Sequence, residues 1–168
     1  KFENLSNVLR QISEIGIIAV GMTLVIITGG IDLSVGSVLA LSATITAFSI
    51  MDWQMGTFLT VLLALFAGSI AGLLNGVITA WGRMQSFIAT LAMMTAARGF
   101  ALFISGANSR NIGFGEGAAP ESFRIFTQSL GGIPVPVFIF IGVTVIFGII
   151  LSRMRLGRYI YAIGSNKD

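Results

Sequence analysis

Ionisable side chains are missing from four long stretches of this chain: residues 15–31, 33–51, 53–82 and 125–152. A run of about 20 apolar residues in a helix spans a hydrocarbon core about 30 Å thick. An unbroken apolar surface of that length has no favourable place in water. The constraint is reinforced by composition. Of 168 residues, 55% are hydrophobic and only 10% are charged, against about 25% charged in a soluble domain. Mean hydropathy is +0.92. The expected fold is therefore all-α, a polytopic transmembrane helical bundle.

Cysteine and histidine are both absent. Disulfide frameworks, thiol nucleophiles, imidazole acid–base chemistry and zinc sites of the Cys/His kind are excluded together. A net charge of +3 does not point to nucleic acid here. The basic residues stand at the ends of apolar segments, where cytoplasmic loops face anionic lipid. The first residue is Lys1, and the repeated, long apolar runs do not read as a cleavable leader.

About five membrane helices follow from the pattern, at 12–28, 33–51, 57–81, 86–104 and 134–152, after a polar lead-in over 1–10 with the character of a loop or surface helix. Adjacent glycines weaken a helix, so Gly29-Gly30 predicts a break between the first two. Asp32 then suits the start of the second, both as a cap and as a negative charge at a helix amino terminus. Pro134 and Pro136 fit the opening turn of the fifth. The segment 105–132 is polar and rich in Gly, Asn and Ser. Orientation comes from Arg153, Arg155 and Arg158, since short basic segments are cytoplasmic. Counting back places 105–132 outside, Arg83 inside, Asp52 outside, Gly29–Asp32 toward the inside and the amino terminus outside.

Several residues invite a functional reading beside a plain one. A carboxylate among apolar helices costs at least ~2.5 kcal/mol near a membrane centre. Asp32 is either a helix cap at the cytoplasmic surface or, with Ser34, part of a polar path where irregular backbone is satisfied by protein or water. Gly68, Gly72 and Gly76 recur every four residues and share a helix face, the spacing of close helix packing or of a smooth sliding surface. Asn75, beside that row, bonds across helices or lines the path. Arg98 either snorkels to the outer interface or pairs with an acid, Asp52 or Glu116. The arginines of the tail either anchor it on anionic head groups or serve a partner.

Four segments resemble one family in order and spacing: GMTLVIITGGIDLSVGSVLAL at 21–41, GRMQSFIATL at 82–91, Arg98-Gly99, and RLGRYIYAIGSN at 155–166. Together they are similar to the permease subunits of ribose-type, simple-sugar ATP-binding-cassette importers. That resemblance covers essentially the whole of 1–168 as a single permease domain of the bacterial inner (plasma) membrane. It implies a further helix before Lys1 and a carboxy-terminal half after Asp168. It implies partners: a second permease copy, a cytoplasmic ATPase, a periplasmic sugar-binding protein and the surrounding lipid, with no nucleic acid. It also implies that 153–168 is cytoplasmic and leads into the ATPase-coupling loop, with Arg155, Arg158, Tyr159, Tyr161 and Asn166 on that side. No Gly-x-x-x-x-Gly-Lys-Ser/Thr phosphate loop occurs in the chain. ATP is then used by the partner, and the chain is expected to need no cofactor or metal of its own. An ion-gradient carrier, which also uses broken helices, and a non-transport assembly protein are the competing classes.

Overall fold

The computed structural model describes residues 2–114 and 119–165. Six α-helices carry the chain: α1 (Phe2–Ile27), α2 (Val35–Met51), α3 (Thr57–Ala80), α4 (Ser86–Ser105), α5 (Val135–Arg153) and α6 (Arg155–Ser165). A 3₁₀ helix at Glu121–Thr127 and a two-residue antiparallel ladder, β1 (Ser129–Leu130) with β2 (Ile133–Pro134), precede α5. Four helices are long and apolar enough to cross a membrane, in α1, α3, α4 and α5; α2 is a shorter apolar helix. The expected all-α bundle with a break at Gly29-Gly30 is what forms. The chain divides into two compact units, Asp32–Arg124 and Lys1–Ile31 with Ile125–Asp168.

In the unit built from α2, α3 and α4, helix α2 packs on both others. Among the described residues the buried side chains of this unit are small or polar: Ser34, Ser37, Ala47, Ser49, Thr60, Ala71, Asn75, Ala89, Thr90, Ala97, Ala101 and Ala119, with Ile50 the one large apolar exception. The large apolar side chains point outward, Phe58, Trp81 and Phe103 being more than four-fifths exposed. Lipid tails solvate Phe and Leu as well as a protein core does, so burial of large side chains gives helices in a bilayer little reason to associate. Close approach and interhelical hydrogen bonds do that instead. Ser42 Oγ donates to the Ala64 carbonyl at 3.3 Å, and Gly68 lies open to Ser42 and Val38. Gly72 and Gly76, further along the same row, meet nothing within this unit.

The far ends of α2 and α4 lie together. Asp52, just past α2, pairs with Arg110 at 3.0 Å, whose guanidinium stacks 5.4 Å from the Phe48 ring. Thr57 at the start of α3 hydrogen-bonds Ser122 at 2.7 Å. Thus α2 and α4 run one way and α3 the other. Helix α2 has 17 residues, about 25 Å, while α3 has 24, about 36 Å. The shortfall is at the end that follows the glycine break.

In the other unit α1 and α5 run side by side in the same direction. Arg10 Nη2 donates to the Thr127 carbonyl at 2.7 Å near their starts, and Gly16 faces the Phe140 ring midway. At their far ends α6 lies against both. A Cβ on Gly157 would strike the carbonyls of Leu151 and Ile150, and one on Gly164 would strike the carbonyl of Ile27. From Gly157 to Gly164 the helix advances about 10 Å, the usual spacing of two packed helices. Helix α6 therefore crosses from the end of α5 to the end of α1. Met154 alone separates it from α5 and is extended (φ −94°, ψ 158°).

Two boundaries extend beyond the apolar runs. Of the loop or surface helix open to the polar lead-in, the helix forms and is continuous with α1 from Phe2, since nothing there breaks it and Arg10 finds an acceptor. The segment after Arg153 is helical through Ser165, its glycines serving close approach to neighbouring backbone.

Gly164→Ala and Gly157→Ala should each lower the thermal unfolding midpoint of the detergent-purified full-length protein. The expected cost is about 1–3 kcal/mol, as for other overpacked sites. Gly148→Ala, where a Cβ meets open space, should not. Equal effects from all three would contradict the close seating of α6.

Candidate translocation site

Between Ile27 and Val35 the chain leaves the helix. Gly29 takes the left-handed region (φ 77°), which glycine enters without the Cβ penalty, and the Gly30 amide returns to the Val25 carbonyl at 2.9 Å. Asp32 then folds its carboxylate forward. Its Oδ1 accepts the Ser34 amide at 2.7 Å and the Ser34 hydroxyl at 2.6 Å. This is an Asx-type turn, in which a short polar side chain competes with the helix for backbone donors. Helix α2 consequently begins at Val35 with Ser34 at its cap position. The sequence pattern had the helix beginning at Leu33 with Asp32 as its cap. The carboxylate's reach to residue 34 moves that start along the chain.

Two other helices close on this turn. Asn75 of α3 donates its Nδ2 to Ser34 Oγ at 3.0 Å, and Thr90 of α4 accepts the Leu33 amide on its hydroxyl at 3.1 Å. Ser34 is 1%, Thr90 4% and Asn75 8% exposed, whereas Asp32 is half-buried. The result is a directional chain in which the Asn75 amide donates to the Ser34 hydroxyl and that hydroxyl donates to the Asp32 carboxylate. Asn75 Oδ1 is buried with no hydrogen-bond partner among the described residues. Asn75 precedes the end of α3 by five residues and Thr90 follows the start of α4 by four. The turn therefore sits about 6–8 Å inside the ends of both helices.

Of the four path residues read from sequence, Asp32, Ser34 and Asn75 come together. Arg98 does not join them. It lies eight residues beyond Thr90 on α4, about 12 Å away along the axis. There it lines a groove between α2 and α4 with Gly36, Ser37, Thr44, Met94 and Ser105, about 550 Å³ in volume. That volume falls within the range of small-molecule pockets. Of the two acids considered for Arg98, Asp52 is engaged by Arg110, and Glu116 lies outside the described residues. On α6, Arg155, Arg158, Tyr159 and Tyr161 are exposed; Asn166 also lies outside the described residues. Sequence reasoning did not single out Thr90. Its only local sign is a hydroxyl within an apolar helix, in the segment FIATL at 87–91.

A short helix starting inside a bundle, behind a polar turn held by two longer helices, defines a polytopic membrane protein in which irregular backbone is sheltered from lipid. The chain belongs to the family described as branched-chain amino acid transport system / permease component, whose model matches residues 4–168. It is 45% identical over 164 residues to the ribose import permease protein of Escherichia coli (strain K12) and 44% identical over 166 residues to that of Haemophilus influenzae. It is 37% identical to the D-allose transport system permease protein of Escherichia coli (strain K12). Each alignment covers 98% of this chain, and the chain spans about half the length of these relatives. No solved structure matches it. The family and the apolar helices place the chain in the bacterial inner (plasma) membrane, as a multi-pass protein.

Removing a partner from this network should be costly, because a buried polar group is left unpaired. Thr90→Val, which strands the Leu33 amide, should destabilise the purified full-length protein by about 1–3 kcal/mol. In a double-mutant cycle, Ser34→Ala and Asn75→Ala should couple by about 0.6–1.7 kcal/mol. Strict additivity would mean that the bond between them is absent.

Proposed function

We propose that this chain carries the translocation path of the permease subunit of an ATP-driven importer of ribose or a related simple sugar. The observation that carries the proposal is the identity to ribose and allose permeases along 98% of the chain. The chemistry of the site supports it. Hydroxyl, amide and one carboxylate at the α2 turn, followed by Ser37, Thr44 and Arg98 along the α2–α4 groove, offer donors and acceptors to a neutral polyol.

In this proposal Asp32, Ser34 and Asn75 form a constriction whose internal hydrogen bonds exchange with sugar hydroxyls as the path opens. Arg98 donates to the sugar nearer the outer end. Gly68, Gly72 and Gly76 give α3 a face along which neighbouring helices pack. The segment 105–132 lies outside, toward a periplasmic sugar-binding protein, and 153–168 lies in the cytoplasm. Arg155, Arg158, Tyr159, Tyr161 and Asn166 thus belong to the side of the membrane on which the ATPase docks. A second permease copy completes the path. ATP is consumed by the partner ATPase, and this chain itself takes no cofactor or metal and catalyses no reaction.

The test is uptake of labelled ribose by cells expressing the full-length protein with its ATPase and binding protein. Uptake should persist under a protonophore while cellular ATP is maintained. It should fall at least tenfold in Asp32→Ala at unchanged membrane abundance. Uptake that collapses with the proton gradient alone would make the protein a gradient-driven carrier. Full uptake in Asp32→Ala would remove that carboxylate from the path.

A further inference from the structure

Among the described residues, one face of helix α6 is covered and its two flanks are not. At 100° per residue, Gly157, Ile160 and Gly164 fall within about 60° of arc. They form the edge seated on the ends of α5 and α1. On one flank, about 100° round from that edge, stand Leu156, Tyr159 and Ile163, which are 58%, 64% and 60% exposed. On the opposite flank stand Arg158, Tyr161 and Ser165, also exposed. Arg155 occupies the outermost edge between the flanks.

What covers the apolar flank follows from where the helix is held. Helix α5 is an apolar span that ends at Arg153, and Met154 is the only residue between it and α6. The first turn of α6 is therefore fixed at the depth where the hydrocarbon gives way to head groups. Because α6 crosses from α5 to α1 instead of continuing either, its axis lies across the bundle. In that position the side chains of Leu156, Tyr159 and Ile163 suit acyl chains, and those of Arg158, Tyr161 and Ser165 suit water. Arg153, Arg155 and Arg158 follow within six positions, with no acidic side chain among residues 153–165 to offset them. An amphipathic helix lying in an interface, with an apolar flank, a polar flank and arginines at its start and outer edge, is the arrangement that binds anionic bilayer surfaces.

We propose that α6 is an interfacial helix seated on the anionic lipid surface of the membrane's inner face. Leu156, Tyr159 and Ile163 enter the upper acyl region, Arg153 and Arg155 meet the head-group phosphates, and Arg158 and Tyr161 stay on the aqueous side. This divides the tail's two readings between two flanks. The lipid holds one, and the other remains open to a cytoplasmic partner. The proposal depends on the membrane fold and not on which solute is carried.

The experiment uses the full-length protein in nanodiscs without its ATPase. Single spin labels are attached at Leu156→Cys, Tyr159→Cys and Ile163→Cys, and at Arg158→Cys, Tyr161→Cys and Ser165→Cys. In discs containing phosphatidylglycerol, collision with oxygen should dominate at 156, 159 and 163, and collision with a water-soluble nickel chelate at 158, 161 and 165. Exchanging phosphatidylglycerol for phosphatidylcholine should raise nickel access at 156 and 163 at least twofold. The same rise should appear in phosphatidylglycerol discs when Arg153 and Arg155 are both changed to Gln. Labels at 156, 159 and 163 shielded from both reagents would mean that protein covers the flank and would overturn the proposal. Nickel access equal on the two flanks would overturn it too. Indifference to lipid charge would overturn the anionic assignment.

Discussion

A backbone amide that leaves a helix inside a bilayer has no water to turn to, and each unsatisfied group costs several kcal/mol. Residues 28–34 of this chain leave the helix within reach of that penalty. The structure meets it locally and at long range. Thr28 and Gly30 fold back on α1, Asp32 satisfies Ser34, and Thr90 satisfies Leu33 from a residue 57 positions away. Asn75 completes the set by holding the Ser34 hydroxyl. The position of α2 against α3 and α4 follows from these few bonds, because the side chains around them are too small to fix it by shape.

The same economy explains why the fold is inverted relative to a soluble protein. Its buried positions hold Ala, Ser and Thr, while Phe, Trp and Leu face outward. Where α6 meets α1 and α5 the principle is carried to its limit. Two glycines let backbone touch backbone, and any side chain would hold the helices apart. One end of α1 is thereby joined to the basic tail, and the residues that follow α1 form the polar turn.

Much of this was legible in the residues, and the remainder was hidden for identifiable reasons. Helices α3, α4 and α5 begin and end within one or two residues of where apolar runs and capping residues place them. The break at Gly29-Gly30 was readable because paired glycines have few other uses in an apolar helix. Asp32, Ser34 and Asn75 stood out as polar groups in an apolar setting. The start of α2 did not, since it depends on which way the Asp32 carboxylate turns. Thr90 was invisible because its importance comes from a partner far away in the chain. The pairing of Asp52 with Arg110, across a fold in the loop after α4, was likewise beyond local pattern. The role of Gly157 and Gly164 was not legible either, because only the neighbouring carbonyls reveal that they permit contact.

If the polar turn is built and satisfied, and is not a loose connection, its amides must be slow to exchange. The direct measurement is hydrogen–deuterium exchange of residues 30–35 in the full-length protein in nanodiscs. Protection of the Leu33 and Ser34 amides comparable to that of the neighbouring helices is expected, with the Leu33 protection lost in Thr90→Val. Exchange of both amides at the rate of an unstructured peptide would contradict the account.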